Sequence, residues 1–291
     1  MINYPDINRG SRVPAYLRPT SQSEALAALA QGRLTVLAGG TDYYPSKVGK
    51  PLSDDILDIS AIPSLRGIHD EGSHWRIGAT TTWSEIIAAG LPPLFDGLKL
   101  AAREIGGVQI QNAGTVAGNL CNASPAADGV PPLLALDARV EIADAAGSTS
   151  VALADFILGN RRTLLRPDQL LTAILIPKPA HSARSHFLKL GARKYLVVSI
   201  VMVAATLEVD AGRVSAARVA VGAASAVAQR LPLLEAALIG KTCDASLGEH
   251  ARAEHLAPLA PIADVRASRE YRLDAGLSLV RRVLNQLGAG T

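Results

Sequence analysis

Along the first 60 positions apolar and polar residues change period twice. SQSEALAALAQ (21–31) opens on polar capping residues and continues with apolar spacing suited to a short helix, whereas Leu34, Val36 and Ala38 alternate before the pair Gly39 and Gly40. Helix, strand and glycine turn are the predicted order. ILDIS (56–60) predicts a second strand and 75–79 a third, followed by a Thr-rich turn that caps a helix beginning near Ser84. A longer helix is predicted over 93–104. The pattern then loses its period in a loop region rich in Gly and Asn, before a short helix (131–136), a strand (139–143) and the strand LLTAILIPKP (170–179), closed by Pro177 and Pro179.

Those prolines and the polar run HSARSH (181–186) mark the expected domain boundary. Beyond it, 187–224 reads as a helix or strand rich in Val, then a hairpin turning at Asp210, Ala211 and Gly212, then a strand ending in Gly222. Helical spacing returns over 225–238 and 271–287. There is no internal repeat and no low-complexity segment. With 291 residues, two domains are the expectation.

Composition narrows the classes. Hydrophobic residues make up 48% of the chain but aromatics only 4%, so Ala, Val, Leu and Ile must fill the interior. The formal charge of +3 comes from scattered Lys and Arg, without the basic block that tracks a phosphate backbone, so no nucleic acid partner is expected. Charges and prolines stand where a signal peptide needs an apolar stretch, and no later segment stays apolar long enough to span a bilayer; a cytoplasmic protein with no membrane span is expected. Cys121 and Cys243 are far apart and have no metal-ligand spacing, so neither zinc nor an iron–sulfur cluster is expected on this chain, and any cluster must lie on a partner. His181 and His186, like His250 and His255, are five apart and read as solvated.

Two segments carry candidate chemistry. The first is Val36, Leu37, Ala38, Gly39, Gly40, Thr41, Asp42 and Tyr43, a strand running into two glycines, Thr and Asp. Glycines let a diphosphate approach backbone N–H groups and reach the positive φ that aims successive N–H groups at one anion. A plain turn is the commoner reading of such a pair, and neither a Rossmann fingerprint nor a P-loop is present. The second is the stretch 112–128, in which small residues alternate with amides, hydroxyls and one carboxylate, a composition that wraps a polar ligand closely or forms an irregular surface loop.

In that order and separation, AGGTD (38–42) and GTVAGNLCNASPAAD (114–128) resemble the two FAD motifs of the flavin subunits of molybdenum hydroxylases, the xanthine dehydrogenase and carbon monoxide dehydrogenase group. The similarity continues through LLALDARVEI (133–142), RRTLLRPDQLLTAILIP (161–177) and FLKLGARKYLVVSIVMVAA (187–205). The resemblance implies an α+β chain: a PCMH-type (vanillyl-alcohol-oxidase-like) FAD-binding fold of two lobes, about 1–60 and 61–177, plus a smaller C-terminal α+β domain, 182–291, with the flavin between them.

It also implies that residues Ala38 to Asp42 cradle the diphosphate, with Val36, Leu37 and Tyr43 flanking. Thr115 and Gly118 would join them there, with Asn119 and Cys121 near the flavin or ribityl chain and Ser124 in the same segment. Asp128 would bond polar cofactor atoms, the Leu171 backbone would approach the adenine or flavin edge, and Lys189 and Arg193 would help enclose the flavin. Two departures stand out: Ala117 replaces a glycine of the second motif, and Tyr195 stands where relatives carry a different run, either stacking near the isoalloxazine or filling the core. No catalytic set and no metal ligands of its own stand out in the chain. The implied function is electron relay from 2Fe-2S clusters on a small subunit through FAD to an outside acceptor, beside a large molybdopterin subunit, in a dimer of heterotrimers. The rival is a free-standing PCMH-type flavin oxidase or reductase; a scaffold that has lost its cofactor is a third reading.

Overall fold

The computed structural model describes residues 14–194 and 196–290, and Tyr195 lies outside the described residues. Among the described residues three larger sheets follow one another along the chain, beside a two-stranded ribbon of Ile157–Gly159 and Arg162–Thr163. The first is parallel, with strands Tyr16–Leu17, Ile56–Asp58 and Thr35–Leu37 side by side in that order. The helix Gln22–Gln31 covers it, capped by Ser21, whose hydroxyl accepts from Glu24 N–H. Leu29, Leu57, Ile59 and Leu65 form the core of this lobe, joined by Leu170 from the next sheet.

The second sheet is antiparallel, in the order Ile68–Asp70, His74–Gly78, Leu170–Pro177, Arg139–Asp144, Gly147–Ala152. Its central strand Leu170–Pro177 is buried almost throughout, which is why the sequence there is continuously apolar instead of alternating. The turn 80–82 is tightened by its own hydroxyls: Thr80 donates to Leu65 O, Thr81 to Gly67 O, and Thr82 forms a capping box with Glu85 that starts the helix Trp83–Ala88. The predicted helix over 93–104 divides into a 3-10 turn, Pro93–Phe95, and the helix Asp96–Glu104.

The third sheet is antiparallel, in the order Ser182–Leu190, Val201–Asp210, Arg213–Gly222, Gln229–Arg230. Successive side chains of Val201–Asp210 enter different cores: Met202 and Ala204 face the lobes, while Val201, Val203, Ala205 and Leu207 pack under the helix Arg269–Ala289. Burial on both faces explains the valine-rich composition that fits helix and strand alike. A charge cluster pins this sheet to the lobes: Arg230 reaches Asp137 at 2.6 Å and Glu235 at 2.5 Å, and Arg218 pairs with Asp137 and Glu208.

Three expectations are corrected. The segment expected as an irregular loop forms two short helices, Val108–Ala113 and Val116–Asn122. At the expected domain boundary, HSARSH leads into the strand Ser182–Leu190, where Ser185 donates to Leu94 O and accepts from Gly97 N–H, so its polarity serves a buried contact. Helix over 225–238 is confined to Pro232–Leu238, because Gln229–Arg230 are drawn into the sheet. His186 and His255 are not solvated. His255 Nδ1 accepts from Arg252 N–H, and burial pushes the His186 imidazole down, against the bond it makes with Gln286. Among the described residues no helix is long and apolar enough to cross a membrane, and no cluster of His, Cys, Asp and Glu is arranged to hold a metal.

Candidate functional site

The strand Thr35–Leu37 delivers Ala38 to Thr41 to the carboxyl end of the parallel sheet, the edge where open sheets of this kind present ligands. The second motif is fastened beside it. Trp83 N–H donates to Gly114 O at 3.1 Å and Val116 N–H to Thr81 O at 3.0 Å, so that the hydroxyl-braced threonine turn fixes Thr115 between two backbone bonds.

The two bends touch at Gly39, where a Cβ would lie 1.9 Å from Ala113 O and 2.9 Å from Gly114 Cα. Close approach, not positive φ, is what excludes a side chain there. Positive φ belongs to Gly40 alone of the pair, at +68°. The N–H groups of Gly39, Gly40 and Thr41 have no acceptor among the described residues, which leaves three consecutive donors for a ligand.

These bends border a cleft of about 550 Å³. All of Val36, Leu37, Ala38, Gly39, Gly40, Thr41, Asp42 and Tyr43 line it, as do Thr115, Gly118, Asn119, Cys121 and Leu171. Tyr43 offers its ring only, because its hydroxyl donates to Asp54 at 2.9 Å. Thr115 caps the helix Val116–Asn122 by accepting from Gly118 N–H, and Ala117 is tolerated because its methyl is buried on that helix, in right-handed conformation. The Asn119 amide oxygen is buried without a partner among the described residues, a polar atom that a ligand hydroxyl or amide can satisfy. Cys121 opens onto the cleft, while the protein packed around its thiol pushes the pKa up to about 12. The group is a neutral thiol at pH 7.

Ser124, Asp128, Lys189 and Arg193 are not part of this lining. Ser124 braces its own turn by accepting from Ala126 N–H. Asp128 is buried, with Lys189 Nζ reaching one oxygen at 2.7 Å and the Ser199 hydroxyl donating to the other at 2.6 Å. Desolvation pushes its carboxyl up, opposed by Lys189 and Ser199. Arg193 is exposed and turned onto Leu196 O.

Sequence reasoning missed Trp83, Ile110, Gln169 and Arg161 in the lining. Arg161 is an exposed arginine at φ +57°, bonded to Asp42, 119 residues earlier, at 2.6 Å and to Asn122, so it ties the first motif to the end of the second motif's helix. Nothing local in the sequence signals that conformation.

Removing the Thr115 cap by Thr115→Ala should lower stability by about 1 kcal/mol, while Thr115→Ser keeps it. Thermal unfolding of the three proteins checks this.

Three backbone donors without an acceptor among the described residues at the end of a parallel sheet, a glycine approach closed to any side chain and a second bend of small polar residues together form a site suited to the diphosphate of a dinucleotide. Residues 9–179 match the FAD binding domain in molybdopterin dehydrogenase, and residues 186–287 the CO dehydrogenase flavoprotein C-terminal domain. The chain belongs to this family of molybdopterin dehydrogenase flavoproteins. It is 30% identical to the xanthine dehydrogenase FAD-binding subunit of Escherichia coli, over 94% of this chain and 95% of that one. With the carbon monoxide dehydrogenase medium chain of Afipia carboxidovorans it shares 31% identity, covering 94% and 96%. The structure of quinoline 2-oxidoreductase from Pseudomonas putida superposes with a TM-score of 0.86 at 26% identity, over 97% of this chain and 99% of that one.

Proposed function

We propose that this chain is the FAD-carrying electron-transfer subunit of a multi-subunit molybdenum hydroxylase, receiving electrons from 2Fe-2S clusters on a small partner subunit and passing them to an external acceptor. The carrying observation is the contact of Gly39 with Ala113 and Gly114, which joins the two motifs into one cleft. The residues fit the cofactor: Gly39, Gly40 and Thr41 supply N–H groups for the diphosphate, Arg161 a neighbouring positive charge, and Asn119 an unpaired acceptor for the ribityl chain. Bound FAD supplies the redox chemistry. The protein's part is to hold it and to fix the donors and charges around it. Leu171 would present backbone at the adenine or flavin edge, while Asp128, ion-paired with Lys189, stands outside the cleft lining.

The domain division at about 177 to 182 and the dimer of heterotrimers with a large molybdopterin subunit belong to the same proposal. The free-standing flavin oxidase is disfavoured because the relatives along nearly the whole chain are subunits of larger dehydrogenases. We place the complex in the cytoplasm, a compartment that keeps free thiols such as Cys121 and Cys243 reduced.

The purified chain should show flavin absorption after incubation with FAD, and size exclusion of the native complex should show two further subunits, one large and one small. A chain that takes up no FAD, or a fully active lone monomer, overturns the reading.

A further inference from the structure

The helix Arg269–Ala289 packs on the third sheet, on the face away from the lobes, yet one of its first residues reaches toward the second motif. Arg272 is 2% exposed. A guanidinium taken out of water must meet acceptors on most of its donors, and here it donates to Ile200 O, to Ala223 O at 3.0 Å and to Asp264 Oδ1 at 2.7 Å, leaving only Nε without an acceptor among the described residues. Asp264 is in turn held down at about 2, first by the N–H of Arg266.

Both carbonyls belong to segments that touch the second motif. Ile200 follows Ser199, whose hydroxyl donates to Asp128 at 2.6 Å. Ala223, at φ +60°, donates its N–H to Pro125 O at 3.1 Å. One planar fork therefore fixes two backbones, each of which makes one polar contact with the stretch 125–128, and Asp128 in that stretch is the partner of Lys189. An aliphatic side chain of the same length fills the volume but leaves two converging carbonyls unpaired. Lysine, a point charge, cannot span both carbonyls and Asp264 in one plane.

We propose that Arg272 is a positioning residue for the flavin site, acting through Ser199 and Pro125 to hold Asp128 and the second motif in register. The inference rests on the reading of the cleft as an FAD site. Arg272 touches no cleft residue itself, so its effect must pass through these contacts.

The test uses the full-length chain carrying Arg272→Met, Arg272→Lys, Ser199→Ala or Arg272→Met with Ser199→Ala, with FAD affinity read by fluorescence titration and the flavin midpoint potential read alongside. Arg272→Met is expected to weaken FAD binding by about tenfold, the size of a typical coupling between separate sites, and to shift the potential in the same direction as Ser199→Ala. Arg272→Lys should recover part of the loss. In the double variant the two effects should overlap instead of multiplying. Unchanged affinity and potential in a folded Arg272→Met chain, or fully multiplicative effects, overturn the proposal. Should Arg272→Met fail to fold, Asp264→Asn, which removes only the charged partner, must show the same direction of change at smaller size. If the unaltered chain binds no FAD, the functional reading fails separately. Amide hydrogen exchange then decides this inference: faster exchange at 126–128 and 199–201 in Arg272→Met supports it, and unchanged exchange there overturns it.

Discussion

Gly39→Ala is expected to abolish FAD retention, while the same substitution at Gly40 weakens it by a smaller factor. From conformational preference alone the order would be reversed, since Gly40 sits at φ +68° and Gly39 does not lie in the left-handed region. What a methyl meets decides the outcome. At Gly39 it meets the carbonyl of Ala113 at 1.9 Å for the oxygen and 2.6 Å for the carbon, both backbone, and that backbone is itself held by Gly114 O and Val116 N–H against the threonine turn. Neither wall can retreat alone, so the bends must part by more than an ångström. Donors placed for a diphosphate lose their geometry on that scale, for which a hundredfold loss, about 2.8 kcal/mol, is a reasonable lower figure. At Gly40 the methyl meets the ring of Tyr44 at 2.8 Å, but that side chain is half exposed and can swing away, leaving backbone strain of about 1–2 kcal/mol. The flavin-to-protein absorbance ratio after gel filtration, together with isothermal titration of FAD, ranks the variants. Equal retention in Gly39→Ala and the unaltered chain would show that the two bends do not act on one ligand.

Local rules made much of this architecture readable. The cap at Ser21, the alternation into Gly39 and Gly40, and the hairpin at Ala211 and Gly212, both at positive φ, were visible because each depends on neighbours in sequence. The helices Val108–Ala113 and Val116–Asn122 were not, since each is short, β-branched or small residues interrupt the helical period, and Gly114 and Val116 at their junction are held by the distant turn 80–82 and Trp83. For the same reason the site was legible in its glycines and amides and illegible in Arg161, whose partners Asp42 and Asn122 come from distant parts of the chain. The resemblance brought Asp128 and Lys189 to attention as cofactor contacts, but nothing in the chain's period reveals that they form a buried ion pair with each other.

That pairing yields the second large effect. Lys189→Met keeps the unbranched side chain and removes the ammonium, leaving a carboxylate whose side chain is 10% exposed with only Ser199 to answer it. Breaking one side of such a buried pair costs about 3–5 kcal/mol. The pH dependence identifies the cause. Burial already lifts the Asp128 carboxyl above its ordinary value, and losing the pull of Lys189 lifts it further. For an acid whose folded pKa exceeds the unfolded one, stability is fully present below the unfolded value, where the carboxyl is neutral in both states, and is lost as pH rises through the folded value. The deficit of Lys189→Met should therefore be greatest at pH 8 and shrink as the pH falls toward 5, and Asp128→Asn added to it should restore most of the loss by removing the unpaired charge. Urea unfolding of the FAD-free chain across that range measures it. A deficit independent of pH, or a double variant no more stable than Lys189→Met alone, would place the cost in lost packing of the lysine stem and not in the stranded carboxylate.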